Sequence, residues 1–195
     1  MALTTITPPS VEPLLVSDDA FKAQHLRVDH DEDDGVLAEY IAAARVHVEA
    51  YTRRRLITQA VRLTLDGFGC DGRAPVLLPV APVQSVDVVR YMDRSGTWQV
   101  LAADQYRLTA SRQPVELWPI YGTAWPVPRL DAAVVEIDMT VGYGAAGSDV
   151  EPQLLQALRM LVAHWYENRA AASIKAVSPV PMGVEALLNP HRFWV

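Results

Sequence analysis

The sequence predicts an α+β fold: a helical core of two long packed helices plus short helices, with a mostly antiparallel β module inserted into it. Three observations carry this. In residues 150–169, Leu154, Leu155, Leu158, Leu161, Val162, Trp165 and Tyr166 recur at spacings of three and four, so they share one helical face. In residues 33–55, Leu37, Ile41, Ala44, Val48 and Tyr51 form a second such stripe. Between these stripes the period shortens to two, the mark of half-buried strands. An apolar face bearing Trp and Tyr has to be covered, and the earlier helix is the candidate partner.

The elements follow in order. Residues 1–16 form an N-terminal arm; Pro8, Pro9 and Pro13 among Thr and Ser make it extended and coreless. The first part of the helical core spans 17–57. Ser17, Asp18 and Asp19 cap a short helix to about residue 27, and the acidic run 29–34 leads into the long helix as a solvated N-terminus. Arg53, Arg54 and Arg55 close that helix where cations suit the dipole, and they are also candidate contacts to DNA or a neighbouring subunit.

The β insertion spans 58–144. Val61, Leu63 and Leu65 alternate with Arg62, Thr64 and Asp66; further strands are expected at 75–78, 86–92, 99–101, 106–109, 115–117 and 133–141. Short strands joined by turns, such as Asp93-Arg94-Ser95-Gly96, give an antiparallel sheet or small barrel. Residues 118–130, with three prolines and two tryptophans, form an ordered loop packed by aromatics. The second part of the core spans 145–170, with Ser148 or Asp149 as cap and Pro152 in the first turn. Residues 171–195 are a flexible connector, one or two helical turns from 183 to 188, and a tail.

Bulk properties exclude several classes. The 195 residues are 50% hydrophobic and 21% charged, ordinary for a globular chain with a real core. A net charge of −6 argues against a protein that lives by gripping phosphate backbones, though not against one past which DNA slides. The single cysteine, Cys70, precludes an internal disulfide framework and fits a reducing compartment. The N-terminus has no signal-peptide pattern and no apolar run nears the roughly 20 residues of a membrane span, so folding in cytoplasm is expected.

Site motifs are weak. Residues 142–147, GYGAAG, match the dinucleotide pattern after a strand and before a helix. The helix opens several residues too late, however, and no second parallel strand follows. A small enzyme or nucleotide-binding protein using this turn is the alternative function. The run 29–34 fails as a calcium loop: Asp34 stands where glycine is needed and Tyr40 where a bidentate glutamate is needed. His25, His30, His47, His164 and His191 show no metal-binding spacing, and no nucleophile, base and oxyanion set is recognisable. No catalytic residue, metal or cofactor is expected.

The tail is odd. Phe193 and Trp194 stand among the last three residues, where chains are normally polar. They either fold back onto their own domain or reach a partner, in which case Arg192 belongs with them as a hot-spot residue type.

Several local sequences, taken in order, resemble a known family. They are LPVAPVQSVDVVRYMDRSG at 78–96, VGYG at 141–144, VEPQLLQAL at 150–158 with HWYENR at 164–169, and GVEALLNPHRFWV at 183–195. Together they resemble the head–tail connector (adaptor) proteins of tailed bacteriophages and gene transfer agents, from about residue 33 to the end. The resemblance implies a structural, non-enzymatic protein of the virion neck, assembled in the bacterial cytoplasm. It implies a homo-oligomeric ring, usually a dodecamer, beneath the portal protein. Such a ring extends a channel through which DNA passes without sequence-specific binding, and offers a platform to the next connector, stopper or tail component. It further implies portal docking through Asn189, Pro190, His191, Arg192, Phe193, Trp194 and Val195. Loop 118–130 and connector 170–181 depart from the resemblance. A soluble oligomeric binding module unrelated to virions is a third reading.

Overall fold

The computed structural model describes residues 1–16, 21–69, 71–110, 113–168 and 182–192. Ser17 to Ala20, Cys70, residue 169, the connector 170–181 and the tail residues 193–195 therefore lie outside the described residues, as do 111 and 112. The chain divides into a β unit, Met1–Pro9 with Thr58–Gly142, and a helical unit, Ser10–Ile57 with Tyr143–Arg192.

The β unit contains two antiparallel sheets. One has the order β1-β2-β8-β4-β5, from Ala2–Thr7, Gln59–Leu65, Val135–Val141, Val83–Met92 and Trp98–Leu101. The other has the order β3-β7-β6, from Val76–Leu78, Val115–Pro119 and Tyr106–Thr109. Alternation places Val61, Leu63, Val89, Ile137 and Met139 on the buried face, where they share one core with Leu78, Val115 and Leu117 of the smaller sheet. The opposite face of the larger sheet carries an ion network. Arg62 donates to both oxygens of Asp138 (2.6 and 2.9 Å), and Arg90 donates to Asp138 (2.8 Å) and Glu136 (3.3 Å).

Three expectations about the β elements need correction. Residues 2–7 are not a free arm: they pair with β2, Leu3 opposite Leu63 and Thr5 opposite Val61, and Leu3 packs on the core. A threonine-rich edge strand needs no apolar alternation, and Pro8, lacking an N–H, ends the ladder. Strand β4 begins at Val83 and not at 86, because its pairing with β8 shifts between Val83 and Ser85 and again between Val86 and Val88. Such bulges erase the period of two that sequence inspection relies on. Strand β8 begins at Val135, since Ala133 holds a left-handed φ of 57°.

The expected loop 118–130 loses Trp118 and Pro119 to strand β7, and the remainder is fastened from inside at Trp125. The Trp125 ring stacks on Phe68 at 4.7 Å with 6° between planes, and its indole N–H donates to the Ala74 carbonyl (2.8 Å). Its backbone N–H donates to the Gly72 carbonyl (2.7 Å).

The helical unit contains α1, Asp34–Thr52; α2, Pro152–Glu167; and α3, Met182–Leu188, besides a π-helical turn at Lys22–Leu26. Leu37, Ile41, Ala44 and Val48 of α1 lie in one buried cluster with Leu154, Leu158 and Leu161 of α2 and Val184 and Leu188 of α3. Tyr166, near the end of α2, donates its hydroxyl to Asp33 at the start of α1 (2.7 Å), so these helices run antiparallel. The acidic run is not wholly solvated. The Lys22 ammonium, buried against it, donates to Asp31 and Asp34 (2.7 Å each), which together hold it protonated above the ordinary lysine range.

Helix ends also differ from expectation. Helix α1 stops at Thr52, because Arg53 turns left-handed (φ 57°) as its C-cap. No side chain caps α2; Asp149 instead accepts from the Ala146 N–H (3.0 Å) within the preceding turn. Pro152 occupies the first turn, where no N–H is missed.

Candidate functional site

A polar cluster built from long-range bonds lies on the helical unit, where the chain leaving α1 meets the segment following α3. Glu49 organises the first part. Its carboxylate, buried on α1, accepts from the Leu56 N–H (2.9 Å) and faces Arg45 (3.5 Å) and Arg55 (3.9 Å). Burial pushes the Glu49 carboxyl up, against the opposing pull of the Leu56 N–H, Arg55 and Arg45. The chain after the left-handed turn at Arg53 is thus tied back to its own helix.

That tie aims Arg54. The side chain is buried and donates from Nε to the His191 carbonyl (2.8 Å) and from a terminal nitrogen to the Tyr143 hydroxyl (3.0 Å). Tyr143 in turn donates to Glu151 (3.1 Å), and burial raises its phenol to about 12. The backbone joins the same strands of chain: the Tyr143 N–H donates to the Leu56 carbonyl (3.2 Å), and Ile57 bridges to Gly144.

The segment Asn189–His191 sits in this cradle. Asn189 accepts from the Tyr51 hydroxyl (2.8 Å), and the Arg192 guanidinium lies 5.1 Å from the centre of the Tyr51 ring. The His191 ring places Nδ1 3.0 Å from Glu151 and Nε2 2.7 Å from Gln153. Pro190 is within the short 3-10 turn that closes on itself through the Arg192 N–H and Asn189 carbonyl (3.1 Å).

Of the residues expected to dock on a partner, Asn189, Pro190, His191 and Arg192 thus lie against the chain's own helical unit. Phe193, Trp194 and Val195 fall outside the described residues. The three consecutive arginines diverge. Arg53 is exposed, Arg54 is buried beneath the C-terminal segment, and Arg55 faces Glu49 with a buried Nε that has no hydrogen-bond partner. Sequence reasoning missed Tyr51, Tyr143, Glu151 and Gln153 as the seat. Arg54 and His191 are 137 positions apart, and no local pattern announces such a contact.

The glycine turn is filled from within. A Cβ at Gly144 would overlap the Asp149 carboxylate, and one at Gly147 would overlap the Pro13 carbonyl. These glycines permit close approach of the chain to itself, and the Ala146 N–H within the turn is already bonded to Asp149. Among the described residues no group of His, Cys, Asp and Glu could hold a metal ion, and no helix is long and apolar enough to cross a membrane.

The family model described as Phage gp6-like head-tail connector protein matches residues 21–90. No curated protein matches the chain. Among solved structures, the chain is similar to one in the virion of a native gene transfer agent (GTA) particle, at 30% identity and a TM-score of 0.82, covering 100% of this chain and 97% of that one. It is similar to a chain in the neck of an empty GTA particle computed with C6 symmetry, at 30% identity and a TM-score of 0.80, with the same coverages. A third similarity is to the neck of a native GTA particle computed with C12 symmetry, at 29% identity and a TM-score of 0.73, again covering 100% and 97%.

Proposed function

The chain belongs to the head–tail connector family, and from that premise we propose that it works as a ring-forming adaptor between portal and tail of a phage or gene transfer agent particle. It is a structural protein of the virion and not an enzyme. The observation that carries this reading is the 30% identity to a chain of a GTA particle neck, covering 100% of this chain and 97% of that one. The C12 and C6 symmetries of those necks support a ring, a dodecamer in the particle. Helices α1 and α2 are its two long core helices, into which the sequence of the β unit is inserted.

The ring sits beneath the portal protein, continues the DNA channel without reading sequence, and offers its far side to the next connector, stopper or tail component. The C-terminal docking segment has two parts. Asn189 to Arg192 form a fixed root, held by Tyr51, Arg54, Glu151 and Gln153. Phe193, Trp194 and Val195 are the contact with the portal, each aromatic burying about 1.5–3 kcal/mol of apolar surface. A ring multiplies that weak anchor, because each further tail binds at high effective concentration. Of the three arginines, the exposed Arg53 is the candidate for contact with DNA or a neighbouring subunit.

Deleting Phe193 to Val195 and comparing melting with co-sedimentation on portal-bearing, DNA-filled heads tests the docking assignment. Melting should be nearly unchanged and attachment abolished. Attachment that survives the deletion would place the docking surface elsewhere.

A further inference from the structure

Trp125 pins the segment after β7 against Phe68, Ala74 and Gly72, and the Ile120 N–H donates to the Gln105 carbonyl (3.0 Å), so the chain leaving the strand is tied at both places. It shows Tyr121 fully exposed and Ile120 more than a third exposed. Beside them an open cleft of about 400 Å³ is lined by Arg73, Arg107, Trp118, Ile120 and Tyr121. The Trp118 indole N–H is already taken by Glu116 (2.8 Å), so the ring offers the cleft its apolar surface. Both arginines are exposed, and neither forms an ion pair with a described residue. Among the described residues of the β unit, Arg62 and Arg90 are by contrast paired with Asp138 and Glu136, and Arg129 lies 3.6 Å from Asp131. Asp71 lies near enough to feel the Arg73 charge, yet no carboxylate among the described residues is in ion-pair contact with either arginine. A surface of Tyr, Trp, Ile and two exposed Arg has the composition of a binding hot spot.

We propose that this cleft is a subunit contact that receives the acidic stretch 29–32 of the next copy in the ring, an inference that rests on the adaptor reading above. Three observations select that occupant. A closed ring joins two different surfaces of the same chain, so a second, complementary patch must exist elsewhere on it. The stretch Asp29, His30, Asp31 and Glu32 is exposed throughout, and Asp29 and Glu32 have no ion-pair partner among the described residues. Its charge is opposite to that of the cleft, and Lys22 fixes its neighbour Asp31 from behind, so the acids are presented on a held backbone. DNA fits less well. Two arginines amid apolar side chains, on a chain of net charge −6, make a poor phosphate track.

Charge reversal and its rescue test this. Wild type, the R73E/R107E variant, the D29K/E32K variant and the chain carrying all four changes are added to heads that lack the protein, and bound copies are counted after sedimentation. All four positions are exposed, so melting should match wild type and serves as the folding control. Each two-site variant should bind at least about tenfold less, since like charges then face each other at every joint, and the four-site chain should recover. Undiminished binding of R73E/R107E, with wild type binding normally, would overturn the inference and leave the adaptor reading intact. Loss in R73E/R107E without recovery in the four-site chain would also overturn it; if retention of free DNA falls in parallel, DNA is the occupant instead. Wild type failing to join heads at all would sink the adaptor reading itself.

Discussion

Replacing Arg54 by Met should loosen the C-terminal root without dissolving the helical core. Methionine keeps an unbranched apolar stem in the buried space and deletes the guanidinium. At least two bonds then vanish, Nε to the His191 carbonyl at 2.8 Å and the terminal nitrogen to the Tyr143 hydroxyl at 3.0 Å. Hydrogen bonds from a charged donor contribute about 1.5–3 kcal/mol each. The full sum is not lost, because Tyr143 keeps Glu151 as a partner, the His191 carbonyl can turn to water, and a buried charge has been removed. A net loss of about 2–4 kcal/mol, local to Asn189 and its successors, is the expectation. Amide exchange reads it. The Arg192 N–H, bonded to the Asn189 carbonyl, should exchange about 30-fold to several hundredfold faster, while amides in the middle of α1 keep most of their protection. Unchanged exchange at 189–192 alongside a large fall in melting temperature would refute the argument, since Arg54 would then serve the core and not the root.

Further outcomes follow from the same structure. Leu158→Ala, at a fully buried position between α1 and α2, should cost about 2–5 kcal/mol in denaturant unfolding; a loss under about 0.5 kcal/mol would mean the residue is not in the core. Asp93 accepts from the Ser95 hydroxyl, the Thr97 N–H and the Gln99 amide, which lower its carboxyl from 3.8 to about 2. Its folded value lies below the unfolded one, so its contribution is full above pH 3.8 and is lost as pH falls toward about 2. Asp93→Asn should therefore melt lower at neutral pH and show a flatter fall between those values, checked by thermal melts across the acid range. Gly147→Ala should destabilise by driving a methyl into the Pro13 carbonyl, with a reduced melting temperature as the readout.

How much of this was legible depended on where the governing contacts lie. The α2 stripe from Leu154 to Val162 could be read directly, because one face of one helix is buried and the spacing records it. Strands β2 and β8 were equally plain, since alternation survives where the pairing is regular from Gln59 opposite Val141 to Leu65 opposite Val135. Strand β1 was not, because an edge strand of threonines packs only Leu3 inward and leaves no alternating signal. The first residues of β4 were hidden by two register shifts, each of which resets the period. Arg53 to Arg55 read as one cationic helix end, and the left-handed turn at Arg53 sends them three ways. The seat of the C-terminal root escaped entirely, because Tyr51, Arg54, Tyr143 and Glu151 have meaning only once residues from both ends of the chain are brought together.

The central claim is tested most directly by a density map of the neck in a particle assembled with this chain. The adaptor account predicts a closed ring of this protein immediately beneath the portal, with the segment after Arg192 seated on portal subunits and the channel continuing through the ring. A neck in which the portal meets the next component with no copy of this chain between them would contradict it.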